Sequence, residues 1–345
     1  MELKNIDLEE RMKFYHVNGL SITLFENGQI SRTINKGLLE AESNRKVNDN
    51  SIFNACSISK FLTGILAMKL ADEGILYLDE DVNKSLISWK VPESEFTENQ
   101  KVTLRNLLSH QSGIIDPEGS FSELDPEAGS PSIVAVLEGE TPYCRAPIKV
   151  KREPESEFRY SDAGFCIIQQ LIEDVTAKAF HQVMNEQVFE LLGMENSYLD
   201  TTSLNLDSDN FSCGHNRNGG LTDEKYPIYP YPAASGLWTT SFDLAKLVLE
   251  LMNAVKRQSK IGLSENAAKE MITPQKGKNW AGLGVFLEGS EEKLEIASLG
   301  WGVGFQCMIV AYPYPGKGAV IMTNAELGVH QMEGIIGEIY KTLFS

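Results

Sequence analysis

Residues 53–86 read FNACSISKFLTGILAMKLADEGILYLDEDVNKSL and hold the most informative part of the chain. Within them, Ser57 and Lys60 stand three positions apart at the start of a predicted helix. Side chains at positions i and i+3 of a helix share one face, so the Ser57 hydroxyl and the Lys60 amine can come within hydrogen-bonding distance. The start of a helix also presents free backbone N–H groups, which favour negative charge on a serine oxygen. The pair therefore indicates a nucleophilic serine with a lysine partner.

The helix that begins at Ser57 is apolar on almost every side and has Gly74 in a position to end it. Its apolar residues are Ile58, Phe61, Leu62, Ile65, Leu66, Met68 and Leu70. A helix of this pattern is buried. A charged, unpaired lysine in such a helix costs several kcal/mol, so Lys60 must find a partner or move towards the neutral form. Neutral lysine is a usable base.

Four further blocks of sequence follow in a fixed order. They are LRNLLSHQSG at 104–113, FRYSDAG at 158–164, LGM at 192–194 and ASGLWTTSFDL at 234–244. Together with residues 53–86, these blocks resemble the serine beta-lactamase-related family, which holds class C beta-lactamases, penicillin-binding proteins and family VIII-type esterases. The resemblance implies a beta-lactamase/transpeptidase-like fold of the α/β (α+β) class. In that fold an antiparallel sheet is flanked by helices and joined by a mainly helical subdomain.

The resemblance also implies roles for single residues. Ser57 matches the acylated serine and Lys60 the lysine beside it. Tyr160 matches the tyrosine that exchanges a proton with the serine and then with the leaving group. Groups that share a proton have coupled titrations, so the base is either Lys60 or Tyr160. The implied oxyanion hole consists of the backbone N–H groups of Ser57 and Trp301.

Two positions depart from the family pattern and bear on the substrate. Asp162 stands where the family usually has asparagine, and its carboxylate would favour a protonated Lys60 and repel anionic substrates. Counting back from Gly304-Phe305 places the third motif at Ser298-Leu299-Gly300, where serine replaces the usual cation or histidine. A neutral hydroxyl is a poor clamp for a substrate carboxylate. We therefore expect Asp162 and Ser298 to favour neutral esters.

Two further features are candidates for lining the site. Gly300 and Gly302 flank Trp301 and would let the strand approach a substrate closely, as glycine does where backbone meets a ligand. The run YPIYPYP at 226–232 leads into the ASG block and would place aromatic rings beside an apolar acyl or alcohol group.

Composition limits the partners. The chain has 345 residues, 42% of them hydrophobic, and a formal net charge of −17. This acidity argues against nucleic acid or an anionic membrane as a partner. The expected partner, a small-molecule ester or amide substrate, is what the family resemblance implies. No run approaches the ~20 apolar residues of a membrane span. The start, MELKNIDLEERMKFYHV, is too charged for a signal peptide, so we expect a cytoplasmic protein.

Cysteine and histidine residues could support chemistry other than that of Ser57 and Lys60, namely a reactive thiol, a metal site or a Ser-His-Asp triad. The five cysteines have no paired spacing, which predicts free thiols in a reducing compartment. Cys56 adjoins Ser57, and we interpret it as a small buried residue instead of a reactive thiol. Cys213-Gly214-His215 lacks a second cluster with ligand spacing, so neither a metal nor a cofactor is expected. His110 could belong to a Ser-His-Asp triad, but the chain has no Gly-x-Ser-x-Gly motif, and we favour a structural role.

Both ends of the chain are predicted to contribute strands to one sheet. Asn27-Gly28 between strands at 20–25 and 29–35 is typical of a hairpin. Further strands are predicted at 282–287, 294–298, 305–312 and 319–323, with helices at 8–16, 165–176, 181–192 and 327–344. We expect a single domain, 1–345, with a sheet subdomain (1–80 and 236–345) and a helical subdomain (81–235). The site would lie between them.

The sequence thus predicts a serine hydrolase that works through an acyl-enzyme on Ser57, with small neutral esters as the first choice and weak beta-lactam hydrolysis as a side activity. A D-amino-acid peptidase, amidase or beta-lactamase could use the same residues but would need a cationic carboxylate clamp. A catalytically silent binding protein of the same fold is the third hypothesis, because Asp162 and Ser298 replace the usual residues.

Overall fold

The computed structural model describes residues 1–4, 6–125, 127–200, 205–207 and 210–344. Eight strands lie in these residues: β1 (Gly19–Glu26), β2 (Gln29–Gly37), β3 (Phe53–Asn54), β4 (Trp238–Thr239), β5 (Phe286–Glu288), β6 (Glu295–Gly302), β7 (Phe305–Tyr312) and β8 (Lys317–Thr323). Six of them form an antiparallel sheet in the order β2-β1-β8-β7-β6-β5, and β3 pairs with β4 apart from it. The predicted sheet, built from both ends of the chain, is confirmed.

Eleven α-helices lie in the described residues: α1 (Leu8–Phe14), α2 (Ser59–Asp72), α3 (Leu104–Leu108), α4 (Ile133–Glu138), α5 (Asp162–Thr176), α6 (Phe180–Met184), α7 (Glu190–Leu192), α8 (Pro232–Ser235), α9 (Ser241–Ala254), α10 (Glu265–Met271) and α11 (Ile335–Phe344). A π-helical turn, Asn185–Phe189, joins α6 to α7. None of these helices has the length and apolar content that crossing a bilayer requires.

The sheet is covered by helices on both faces. One face packs against α1 and α11 through Leu8, Met12, Ile335 and Ile339. The larger core lies on the other side and includes α2, α5 and α9. Strand β1 runs between the two cores and is buried along most of its length. Its Leu20, Ile22 and Leu24 belong to the core of α1 and α11, whereas the Ser21 and Thr23 hydroxyls each lie 2.8 Å from the Ser241 hydroxyl of α9. The division into two subdomains remains a prediction.

The hairpin at Asn27-Gly28 forms as the sequence predicts. Asn27 has φ 54° and Gly28 has φ 74°, the left-handed conformation that two-residue hairpin turns require. The C-terminal helix is shorter than predicted, because Gly334 is extended and the helix begins only at Ile335.

The predicted strand at 282–287 is also shorter, since only Phe286–Glu288 pairs with β6. The cause is Gly284, which has φ 75° and donates its N–H to the Leu108 carbonyl at 2.9 Å. A Cβ at this position would lie 3.0 Å from the Lys60 carbonyl oxygen. The bend therefore brings the segment before β5 against the start of α2.

The turn that carries Ser57 is held from two sides. It is a 3₁₀ turn, Cys56–Ile58, between β3 and α2. The Ala55 N–H donates to the Leu237 carbonyl at 2.8 Å, and the Ser59 hydroxyl donates to the Cys56 carbonyl at 2.6 Å and accepts from the Leu237 N–H at 3.0 Å. These bonds fix the Ser57 turn to the segment that leads into β4.

Candidate active site

Ser57, Lys60, Tyr160 and Ser298 line one narrow cleft, whose cavity volume is about 20 Å³. The cleft lies between the start of α2, the residues before α5, and strands β5 and β6. Ser57 is partly exposed to it, whereas Lys60 is buried. The backbone just before Ser57 is unusual, because Cys56 has φ 49°. A non-glycine residue in this conformation costs free energy and is typical of a functional turn.

The Lys60 ammonium has three acceptors within hydrogen-bonding distance. Its Nζ lies 3.4 Å from the Ser57 Oγ, 2.5 Å from Asp162 Oδ1 and 2.9 Å from the Ala234 carbonyl oxygen. An ammonium has three protons and no lone pair, so three acceptors match its charged form. In this geometry Lys60 donates to the serine and has no free lone pair with which to take its proton.

The charge balance around Lys60 agrees with its hydrogen bonds. Burial disfavours the ammonium, but the carboxylate of Asp162 and the phenol of Tyr160 act in the opposite direction and together prevail, which raises the pKa of Lys60 above its ordinary range. The Nζ also lies 4.9 Å from the centre of the Tyr160 ring. Lys60 is therefore a cation, and the other described residues that line the cleft include no further lysine or arginine and no carboxylate.

Asp162 reaches Lys60 because a second carboxylate fixes the start of α5. The side chain of Asp116 accepts from the Ser161 hydroxyl at 2.6 Å, from the Asp162 N–H at 2.7 Å and from the Ala163 N–H at 3.2 Å. Ser161 also caps the helix by accepting from the Gly164 N–H at 3.0 Å. The sequence reasoning missed Asp116, because its partners lie more than forty residues away and only the turn residue Pro117 marks it.

His110 supports Tyr160 and has no carboxylate among its hydrogen-bond partners in the described chain. Its ring stacks on the Tyr160 ring, with centres 4.4 Å apart, and its Nδ1 accepts from the Ser161 N–H at 3.1 Å. Burial, with a smaller contribution from the Lys60 charge, lowers the pKa of His110 from 6.5 to about 3. The imidazole is therefore neutral near pH 7, which favours the structural role over a Ser-His-Asp triad.

Trp301 lies at the end of β6, opposite Gln306 of β7. Its side chain is 41% exposed, and its Nε1 lies 3.4 Å from a Glu326 carboxylate oxygen. Two residues later, the Val303 N–H donates to the buried Tyr229 hydroxyl at 2.9 Å. Tyr229 therefore supports the turn between β6 and β7, next to the proposed oxyanion donor.

Gly300 and Gly302 face protein atoms and not open cleft, which differs from the expected approach to a substrate. A Cβ on Gly300 would collide with the Ala55 carbonyl oxygen and the Cys307 sulfur. A Cβ on Gly302 would lie 2.6 Å from the Tyr229 hydroxyl and 2.8 Å from the Cys56 sulfur. These glycines let β6 pack directly on the Ser57 turn. Gly300 thus acts on the site through the position of the strand.

Ser298 is 6% exposed and lines the cleft beside Ser57. In the described part of the chain its hydroxyl makes no hydrogen bond with protein. A hydroxyl that faces a cleft without a protein partner is free to bond a substrate atom. It offers a neutral donor or acceptor and no positive charge.

The YPIYPYP run does not line the cleft beside Ser57. Tyr229 and Tyr231 are buried, and the Tyr231 hydroxyl donates to the Ser122 carbonyl. Besides Tyr160 and His110, the aromatic residues that line the cleft are Phe158 and Phe286. The sequence did not single out either one: Phe158 only begins the FRYSDAG block, and Phe286 lies far away in a predicted strand.

His215 and the five cysteines, which could in principle bind a metal or react as thiols, are buried in the structure. Both ring nitrogens of His215 bond to backbone: Nε2 accepts from the Ala41 N–H at 3.0 Å, and Nδ1 lies 2.8 Å from the Asn324 carbonyl oxygen. The described residues contain no group of three or more potential metal ligands. All five cysteines are buried and free.

Comparison with known proteins gives one family and one fold. The sequence model of the family described as Beta-lactamase matches residues 7–336. Penicillin-binding protein 4 of Amycolatopsis lactamdurans is 28% identical over 183 residues, which cover 53% of this chain and 45% of that protein. Protein flp of Staphylococcus aureus strain MW2 is 22% identical over 329 residues, covering 92% of this chain and 61% of flp. The chain thus spans less than two thirds of the length of either relative.

Solved structures agree in fold. The beta-lactamase/D-alanine carboxypeptidase from Yersinia pestis, complexed with citrate, superposes with a TM-score of 0.75 at 18% identity. The match covers 97% of this chain and 96% of that one. The antiparallel sheet with helices on both faces is therefore the fold that these proteins share.

Proposed function

Because the chain belongs to the beta-lactamase family, we propose that it is a serine hydrolase that forms an acyl-enzyme on Ser57 and acts on small neutral esters. The observation that carries the proposal is the position of the Lys60 Nζ, 3.4 Å from the Ser57 Oγ and held there by Asp162. A serine at the start of a helix with a fixed cation beside its oxygen is placed for nucleophilic attack.

In the proposed reaction, the Ser57 oxygen attacks the ester carbonyl and its proton passes to the phenolate form of Tyr160, which becomes the phenol. The three acceptors around Lys60 favour Tyr160 over Lys60 as the base. The negative charge on the tetrahedral intermediate would be stabilised by the backbone N–H groups of Ser57 and Trp301. Tyr160 then returns the proton to the leaving alcohol, and water releases the acyl group in a second round of the same proton transfers.

The preference for a neutral substrate is supported by the charges in the cleft. Lys60 is the cation among the described lining residues, and the Asp162 carboxylate already neutralises it. Ser298 offers a hydroxyl where a carboxylate clamp would need a positive charge. A substrate carboxylate would therefore lose its hydration without gaining an ion pair.

A second candidate is a D-amino-acid peptidase or a beta-lactamase, favoured by the names of similar proteins. One relative is a penicillin-binding protein, and the structure from Yersinia pestis carries the name beta-lactamase/D-alanine carboxypeptidase. The same Ser57, Lys60 and Tyr160 would serve this chemistry. A catalytically silent protein of this fold is the remaining alternative.

The test is intact-mass spectrometry after incubation with a fluorophosphonate, together with turnover of p-nitrophenyl butyrate and nitrocefin. We expect one adduct, ester turnover well above nitrocefin turnover, and loss of both adduct and turnover in Ser57→Ala. Ser43→Ala is a matched control, because Ser43 also precedes a lysine by three residues but lies in a turn outside the cleft. Faster nitrocefin turnover would favour the second candidate, and no adduct at all would favour the silent protein.

A further inference from the structure

Three aromatic side chains form a continuous surface at one side of the cleft, which we name the aromatic wall: Phe158, Trp280 and Phe286. The Phe158 and Trp280 rings meet edge to face with centres 4.3 Å apart, and the Trp280 and Phe286 centres are 6.3 Å apart. Phe158 and Phe286 line the same cleft as Ser57. Trp280 packs across both rings from outside and keeps 44% of its surface exposed.

Backbone hydrogen bonds and a ring contact fix the position of the aromatic wall. The Trp280 carbonyl accepts from the Leu287 N–H at 2.8 Å, and Ala281 bridges to Phe286 in antiparallel register. Phe158 contacts His110, with ring centres 5.5 Å apart. The three rings thus come from two separate segments that are both fixed next to catalytic elements. Such a surface is preorganised, so a ligand would not have to order it on binding.

The wall lies on the Tyr160 side of the cleft. His110 contacts both Tyr160 and Phe158, so the aromatic surface continues from the proposed proton donor to the wall. During acylation the bond between carbonyl carbon and alcohol oxygen breaks, a bond from that carbon to the Ser57 oxygen forms, and the alcohol leaves with the proton from Tyr160. The leaving oxygen must therefore lie next to Tyr160. Its substituent is then directed towards Phe158.

We infer that the aromatic wall binds the alcohol part of the ester and selects alcohols that carry an aromatic ring. This inference rests on the proposed function and adds the identity of the leaving group. An aromatic ring placed edge to face or offset against Trp280 and Phe286 removes apolar surface from water and gains the ring–ring interaction. A short alkyl alcohol removes less apolar surface from water and has no ring–ring interaction to gain.

Benzyl acetate and ethyl acetate test the inference, because they share one acyl group and have alcohols of similar acidity. Since both give the same acyl-enzyme, the ratio of their kcat/KM values reports only binding and acylation. We expect wild type to prefer benzyl acetate by at least tenfold. Trp280→Ala should reduce kcat/KM for benzyl acetate about tenfold and change that for ethyl acetate less than twofold. Tyr77→Ala is the control, since Tyr77 is 55% exposed and lies outside the cleft.

A binding experiment separates failure of this inference from failure of the proposed function. Saturation-transfer NMR with Ser57→Ala reports contact with benzyl acetate without any turnover. We expect ring protons to receive saturation in Ser57→Ala and to lose most of it in the Ser57→Ala/Trp280→Ala double variant. The inference is overturned if Trp280→Ala lowers kcat/KM for benzyl acetate and ethyl acetate by the same factor. It is also overturned if the double variant retains full saturation transfer to the benzyl acetate ring. If ester turnover is absent but transfer depends on Trp280, the wall is supported and the hydrolase proposal is not.

Discussion

The Lys60 Nζ lies 2.5 Å from an Asp162 carboxylate oxygen, and this ion pair joins α2 to the start of α5. The pair has two consequences that Ser57 and Lys60 alone would not give. It holds Lys60 in the charged form, and it neutralises the positive charge that Lys60, the cation among the described lining residues, would otherwise offer to a substrate carboxylate.

Asp162→Asn tests the second consequence. The asparagine keeps an oxygen that can accept from Lys60 but removes the negative charge, so the pKa of Lys60 should fall while an anionic substrate is no longer repelled. We expect the ratio of nitrocefin to p-nitrophenyl butyrate kcat/KM to rise about tenfold, equivalent to about 1.4 kcal/mol. Glu138→Gln removes an equal charge at an exposed position of α4 and should leave the ratio unchanged. A ratio unchanged in Asp162→Asn would contradict the role given to its charge.

A double-mutant cycle on Lys60 and Asp162 tests whether their ion pair stabilises the fold. Lys60→Met replaces the ammonium with an apolar chain of similar length and leaves the Asp162 carboxylate without its cation. Breaking a buried ion pair costs about 3–5 kcal/mol. Because 25% of the Asp162 side chain is exposed to solvent, we expect a smaller loss of unfolding free energy, about 2 kcal/mol.

The double variant Lys60→Met/Asp162→Asn should recover more than half of that loss, because no charge is then left unpaired. Urea unfolding of the wild type, both single variants and the double variant measures the cycle. Additive losses would show that the two side chains do not stabilise each other.

Local pattern predicted the elements on which the site depends. The Ser57–Lys60 spacing, the apolar α2 helix and the Asn27-Gly28 turn each follow from interactions within a few residues. Contacts between residues far apart in the chain could not be predicted from local sequence pattern. The space at Gly300 is filled by the Ala55 carbonyl, more than two hundred residues earlier in the chain.

The aromatic lining shows the same limit. Phe158 and Phe286 line one cleft because Gly284 bends its segment towards α2 and Asp116 fixes the start of α5. Phe158 begins the FRYSDAG block, but no periodicity separates either ring from an ordinary core aromatic. Tyr229 and Tyr231 of the YPIYPYP run had a stronger compositional signal, yet they pack into the core, where their hydroxyls find backbone partners.

His110 should make stability depend on pH. Its pKa is lowered from 6.5 to about 3 in the folded chain, mainly by burial. Between these values the unfolded chain binds one more proton than the folded chain, so stability falls as pH falls from 6.5 towards 3 and is fully present above 6.5. The expected slope from this residue is about 1.4 kcal/mol per pH unit.

His110→Asn is the matched variant for that effect. The asparagine Oδ1 can take the place of Nδ1 as acceptor for the Ser161 N–H, and asparagine tolerates the φ of 56° at this position. It does not titrate. Between pH 7 and pH 5 in urea unfolding, wild type should lose about 2 kcal/mol more than His110→Asn. Parallel losses in the two proteins would rule out His110 as the source.

Tyr229→Phe tests whether the turn after β6 positions the oxyanion donor. The change removes the hydroxyl that accepts from the Val303 N–H at 2.9 Å, and the loss of such a bond costs about 1 kcal/mol of stability. If Val303 fixes the backbone of Trp301, kcat for p-nitrophenyl butyrate should fall about five- to tenfold with KM nearly constant, because the oxyanion forms only after binding.

Tyr231→Phe is the matched control for Tyr229→Phe. It removes a hydroxyl from the same segment, but one whose acceptor is the Ser122 carbonyl, away from β6. We expect it to lower stability by a similar amount and to leave kcat within twofold of wild type. An equal fall in kcat for both variants would mean that Tyr229 acts only through general stability.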